Sequence, residues 1–223
     1  MSGNNLGRPV PQRRTRTWPV KHERNQFFRA GLSVIWFLAI IWVVHIVNAL
    51  SAYRLTSFGI HPRDVDTLWG ILSAPFIHVN YAHLLANTSA GAVILFLLAI
   101  SGRRELWFSS AMIVLVGGLG VWIFGNPYTV VVGASGLIYG WLTYLVARGF
   151  FTRQPMQIAL GVIVGITYAG MIWGILPGDQ GVSWQGHLFG ALGGVIAAWL
   201  SVIMGKLTPT ANAKARKGIA SAR

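Results

Sequence analysis

The chain has 223 residues, 54% of them hydrophobic and 10% charged, with a mean hydropathy of +0.57 and a formal net charge of +13. Soluble domains are nearer a quarter charged, so this composition excludes an ordinary water-soluble enzyme and points to lipid as the solvent. The lack of cysteine excludes disulfides, thiolate metal sites and a cysteine nucleophile.

Six apolar runs cover residues 31–50, 83–100, 106–124, 130–147, 158–176 and 186–205. Each approaches the ~20 residues a helix needs to cross a ~30 Å hydrocarbon layer. The expected fold is an all-α polytopic membrane protein, with six spans in one domain over residues 30–205. Residues 1–29, with Pro9, Pro11 and Pro19 among arginines, read as a disordered tail. Residues 206–223 read as a second basic tail. No small-residue cleavage site precedes the first run, so it reads as a retained span.

Of the eighteen Lys and Arg, only Arg54 and Arg63 fall between spans one and two. The rest lie in the two tails and in the links between spans two and three and between four and five. Positive-inside then places both termini in the cytoplasm. Topology, with attraction to an anionic lipid surface, accounts for the charge surplus, and no nucleic-acid partner is needed.

Along the chain, span one holds His45 and Asn48, which read as interhelical hydrogen-bonding groups. The connection 51–77 is long and aromatic, and is expected at the membrane interface. Span two opens with His78-Val79-Asn80-Tyr81-Ala82-His83 and continues to Asn87. His83 and Asn87 are four residues apart and share a helix face. Span four opens on Gly133-Ala134-Ser135-Gly136-Leu137-Ile138-Tyr139-Gly140. Span five, with only Thr167 and Tyr168 as polar groups, shows no chemistry. Span six opens at Gly186-His187, and Gly190 and Gly194 form a small-residue pair that admits a close neighbour.

Counting from the cytoplasmic charges at ~1.5 Å per residue, Ser135 lies roughly 20 Å deep, Asn87 roughly 24 Å, His187 roughly 28 Å and His83 roughly 30 Å. All four fall in the outer part of the layer. Taken alone, a serine between glycines is packing material. Together the groups have a chemical logic. A neutral imidazole can take a proton from a serine hydroxyl. A serine at a helix N-terminus offers its own N–H to a developing oxyanion, and His83 and Asn87 can add side-chain donors.

Three blocks, His78-x4-His83-x3-Asn87, Gly133-x-Ser135-Gly136-x2-Tyr139 and Gly186-His187-x2-Gly190-x3-Gly194, on spans two, four and six, resemble those of the rhomboid family of intramembrane serine proteases. The resemblance implies a six-helix rhomboid-like bundle in which Ser135 is the nucleophile and His187 the general base. It implies an oxyanion hole of His83, Asn87 and the Ser135 N–H, and a Tyr139 ring stacked on His187. Gly133, Gly136, Gly190, Gly194 and His78 would support the site, with no metal and no cofactor. The substrates implied are transmembrane segments of other proteins, cut near their outer ends, with span five and the following loop as the gate. The compact core resembles bacterial members and suggests the plasma membrane. Many rhomboids carry Trp-Arg in the outer loop, whereas Trp69 is followed here by Gly70. A catalytically silent relative that binds membrane clients is the alternative, although such relatives usually lack the serine or the histidine. A transporter would call for inverted repeats and charged midplane groups, and neither is seen. The sequence does not set the oligomeric state.

Overall fold

The computed structural model describes residues 20–178 and 181–207, with the side chains of residues 20–24, 206 and 207 left out. Most of the two expected basic tails lies outside the described residues. Helix α1, Val20–Leu50, is 31 residues long. It begins ten residues earlier than the expected tail boundary. Pro19 is the last helix breaker, and Lys21, Glu23, Arg24 and Gln26 after it are good helix formers.

After α1 the connection 51–80, the one expected on the outer side, is a series of tight turns and one short helix, α2, Gly70–Ser73. It leads into α3, Tyr81–Ile100, which is capped at its N-terminus by Asn80, and then α4, Arg103–Phe124. Next come α5, Ser135–Thr152, α6, Pro155–Thr167, and α7, Trp184–Leu207. Among the described residues, α1, α3, α4 and α7 are each long and apolar enough to cross a membrane.

The fifth apolar run is not one helix. Helix α6 ends at Thr167, and the chain bends by 66° into a 3-10 stretch, Ala169–Ile175. Gly170 and Gly174 weaken a helix here. Two carbonyls of the stretch are taken by side chains of other elements, Tyr139 on that of Met171 and His187 on that of Gly174.

Helix α5 is the buried centre, lying against α7, α4, α3 and α6. Ile138, Trp141 and Tyr144 from α5 meet Ile94 and Leu98 of α3, Ile113 of α4 and Ala197 and Ala198 of α7 in one core. Trp141 satisfies its indole N–H on Ser110 Oγ at 2.9 Å and takes the edge of Phe37. The α5–α7 seam is glycine on glycine. A Cβ on Gly190 would land on the Gly136 carbonyl oxygen, and one on Gly194 on the Gly140 oxygen. Gly136 in turn faces the Gly186 carbonyl, 2.9 Å from where its own Cβ would stand. Such contacts bring two backbones closer than any other residue allows.

The outer connection is tied to the chain between α4 and α5. Ile60 pairs with Val131 in an antiparallel bridge. The Gly133 N–H donates to the Ala74 carbonyl at 2.8 Å. Arg63 donates through Nη2 to the Gly125 carbonyl at 2.8 Å, and Trp122 donates to the Asp64 carbonyl at 3.0 Å. The departure at Gly70 has a steric cause, because any Cβ there would strike the Gly59 carbonyl. Asn48 does not bridge two spans as expected but ties α1 to the connection, accepting from the Leu55 N–H at 2.9 Å and donating to the His78 carbonyl at 3.3 Å. His45 is buried, and among the described residues its Nδ1 has no hydrogen-bond partner, so it does not make the expected interhelical bond through that atom.

At the opposite end, Arg148 joins three helices. It donates to Tyr144 Oη at 2.7 Å and Gln157 Oε1 at 3.1 Å, and stands 3.6 Å from Glu105 Oε1. Arg148→Met should lower unfolding stability by about 1–3 kcal/mol, since a buried phenol and an amide each lose a charged donor and the Glu105 carboxylate loses its ion pair. Thermal unfolding in detergent micelles checks this, against Arg104→Met as an exposed control expected to change stability by less than ~0.5 kcal/mol.

Candidate functional site

The first turn of α5 ends in a cavity of about 640 Å³ that opens among α3, α4, α5, α7 and the outer connection. Ser135 is the first residue of α5, and Ala134 before it makes no side-chain cap. The leading N–H groups of the helix, that of Ser135 included, therefore lack helical partners. Gly133 enters the helix with φ +121°, a conformation that favours glycine. A Cβ there would also strike the His83 ring, with Nε2 only 2.8 Å away. Gly133 is thus required by backbone angle and by space.

His187 sits in the first turn of α7, with its N–H on the Ser183 carbonyl at 3.2 Å. Its Nε2 is 2.8 Å from Ser135 Oγ, and its Nδ1 is 2.9 Å from the Gly174 carbonyl. A carbonyl only accepts, so Nδ1 carries the proton and Nε2 is left as an acceptor facing the hydroxyl. Tyr139, one turn beyond Ser135, stacks on the imidazole with centroids 4.1 Å apart and planes at 10°. Its hydroxyl donates to the Met171 carbonyl at 2.7 Å. The ring is thus held from its face and from Nδ1.

From α3, His83 and Asn87 line the same cavity. Asn87 is buried, and among the described residues its Nδ2 has no hydrogen-bond partner. A buried donor left open costs stability unless something else fills it. The residue lines the same cavity as Ser135. His78, in the connection before α3, is fully buried and lies outside the cavity, with its ring 5.2 Å from that of His83. Burial first, then the neighbouring His83 and His45 rings, lowers its pKa to about 4, which keeps it neutral at ordinary pH. It therefore backs the His83 ring without adding charge.

The structure brings Ser135, His187, Tyr139, His83, Asn87 and Gly133 around one space. It places Gly136, Gly190 and Gly194 in the seam beneath them. Two members were not legible in the sequence, namely the Gly174 and Met171 carbonyls. Backbone acceptors leave no residue signature, and Gly170 and Gly174 were the only hint that the helix stops there.

Fold and site together define a polytopic helical membrane protein with a serine–histidine pair set among its helices, the serine half-buried and the histidine buried. The Rhomboid domain model matches residues 65–203, and the chain belongs to the rhomboid family. It is 39% identical over 203 residues to an uncharacterized protein of Mycobacterium tuberculosis, covering 87% of this chain and 84% of that protein. An uncharacterized protein of Mycobacterium leprae is 37% identical over 187 residues, covering 80% and 74%. Rhomboid-like protease 5 of Toxoplasma gondii is 28% identical over 169 residues, 70% of this chain and 18% of that longer protein.

Proposed function

We propose that the protein is an intramembrane serine endopeptidase that cuts transmembrane segments of other membrane proteins near their outer ends. The observation that carries this reading is the 2.8 Å approach of Ser135 Oγ to His187 Nε2, with Nδ1 already committed to Gly174. In the reaction, Ser135 Oγ attacks the scissile carbonyl and its proton passes to Nε2. The carbonyl oxygen becomes an oxyanion that takes hydrogen bonds from the Ser135 N–H, Asn87 Nδ2 and His83. The imidazolium then returns its proton to the leaving amine. Water repeats the sequence on the acyl-enzyme and restores the serine.

In this reading the chain crosses the membrane six times. Helix α5 is short because it starts inside the layer, at the floor of the cavity, and the broken α6 region is the fifth crossing. The basic end faces the cytoplasm and the cavity opens outward. The mycobacterial relatives support a bacterial plasma membrane.

A fluorophosphonate probe tests the reading directly. It should label the wild-type protein at Ser135 and fail to label Ser135→Ala or His187→Ala. Equal labelling of all three, or none of the wild type, would sink the mechanism and favour a silent client-binding protein. Asn87→Ala should lower kcat about 10²–10³-fold on a transmembrane substrate, the usual effect of removing one oxyanion donor. Steady-state cleavage in detergent checks it, with KM expected to move little.

A further inference from the structure

A second cavity, of about 260 Å³, lies at the far end of the bundle, between the start of α1 and the α3–α4 turn. Its polar lining is Asn25, Gln26, Arg29 and Ser33 of α1 with Gly102 and Arg103 of the turn. Gln26 Nε2 donates to the Ile100 carbonyl and so fixes the two walls relative to each other. Arg29 and Arg103, both exposed, thus stand on the two walls of one small space. Among the described residues neither has an ion-pair partner. The Glu105 carboxylate, two residues on, stands 3.6 Å from Arg148 through Oε1 and lies against Gly102 through Oε2.

Two arginines lining one small cavity raise the local positive potential, which favours an anion there. A phosphate diester fits the need, since arginine binds phosphate oxygens in a bidentate fork and the amide and hydroxyl groups can take the remaining ones. The surroundings decide where that phosphate comes from. Arg103 shares a helix face with Trp107, one turn nearer the middle of the layer and 66% exposed. On α1, Leu32, Ile35 and Trp36 beyond Arg29 are likewise exposed apolar groups. A phosphate here would have hydrocarbon-facing side chains directly beside it, and basic pockets between helices at this level suit anionic headgroups.

We infer that the Arg29–Arg103 cavity binds the phosphate of an anionic phospholipid. The site is independent of the Ser135 chemistry and rests only on the membrane location.

The test uses the full chain purified into nanodiscs of phosphatidylcholine containing ~30 mol % phosphatidylglycerol, an anionic fraction sufficient for surface attraction. Native mass spectrometry counts the phospholipid retained. Wild type should keep phosphatidylglycerol, and R29Q/R103Q should weaken its retention about thirtyfold, the effect of removing two charges at a membrane surface. R104Q/R153Q removes the same charge from exposed sites outside the cavity and should retain it as wild type does. Equal retention in both double variants, or equal loss, overturns the inference. A parallel arm adds inorganic phosphate in pure phosphatidylcholine and follows thermal unfolding. Stabilisation matching that of phosphatidylglycerol would assign the cavity to free phosphate and overturn the lipid reading. Should R29Q/R103Q not fold, R103Q alone is read in the same assay against R104Q, with about a fivefold loss expected for its one charge.

Discussion

Ser135→Ala should abolish cleavage of a transmembrane substrate, and His187→Ala should do the same. Each should lower kcat/KM by on the order of 10⁴-fold or more, because nucleophile and base act as a unit and the loss of either removes most of what both supply. The double variant should therefore be no worse than the worse single one. Ser135→Ala deletes only a hydroxyl at the cavity, so its thermal unfolding midpoint should stay close to wild type, whereas His187→Ala also loses the bond to the Gly174 carbonyl and should unfold somewhat earlier. That combination separates chemistry from folding. Residual cleavage in Ser135→Ala within tenfold of wild type would end the proposal. A variant inactive only because it no longer unfolds cooperatively would leave Tyr139 to decide the matter. Tyr139→Phe keeps the ring stacked on His187 while removing the hydrogen bond to Met171. It should keep most of the activity.

The second large effect is expected at a residue that touches no reacting atom. Gly190→Ala places a methyl group on the Gly136 carbonyl oxygen, with the Gly136 Cα 3.0 Å away. Both are backbone atoms, so no side chain can swing aside. Helices α5 and α7 must separate. Overpacking of this kind costs about 1–3 kcal/mol of stability. The separation also carries His187 away from Ser135, since one stands on each helix. A misplacement near 1 Å costs roughly 10² in rate. Gly205→Ala is the control. It lies on the same helix with no neighbour within 4 Å of its Cβ, and should be neutral or slightly stabilising because alanine is the better helix former. Cleavage assays and thermal unfolding on the two variants check the pair. A Gly190→Ala protein as stable and active as Gly205→Ala would show that the seam does not set the site.

What the sequence made legible was depth and sequence of elements. Ser135, His187, His83 and Asn87 each counted to the outer part of the layer from a charged helix end, and helical periodicity put His83 and Asn87 on one face. Rotation was not legible, because lipid-facing and core-facing positions in these helices are almost equally apolar. Trp141 is buried while Trp107 and Trp199 are exposed, and nothing in their local patterns separates them. The broken fifth run was hidden for a related reason. Hydropathy reports how far a stretch can live in lipid, and 158–176 remains apolar whether it is straight or bent. Its bend is fixed by acceptors offered to Tyr139 and His187, which are tertiary facts. The start of α1 was misplaced because basic, polar residues suit both a tail and a solvated helical extension.

The α5–α7 seam bears on how freely such a chain can change. Because the spacing between its two central helices is set by main-chain atoms, the outward side chains take no part in setting it. Leu192, Val195, Ile196 and Trp199 on α7 are all substantially exposed. They can be exchanged for longer, shorter or more aromatic residues to match a bilayer of different thickness without retuning the interior. The seam thus leaves the lipid-facing skin free to change while the main-chain contact holds the spacing, and adaptation to a new membrane can proceed one surface residue at a time.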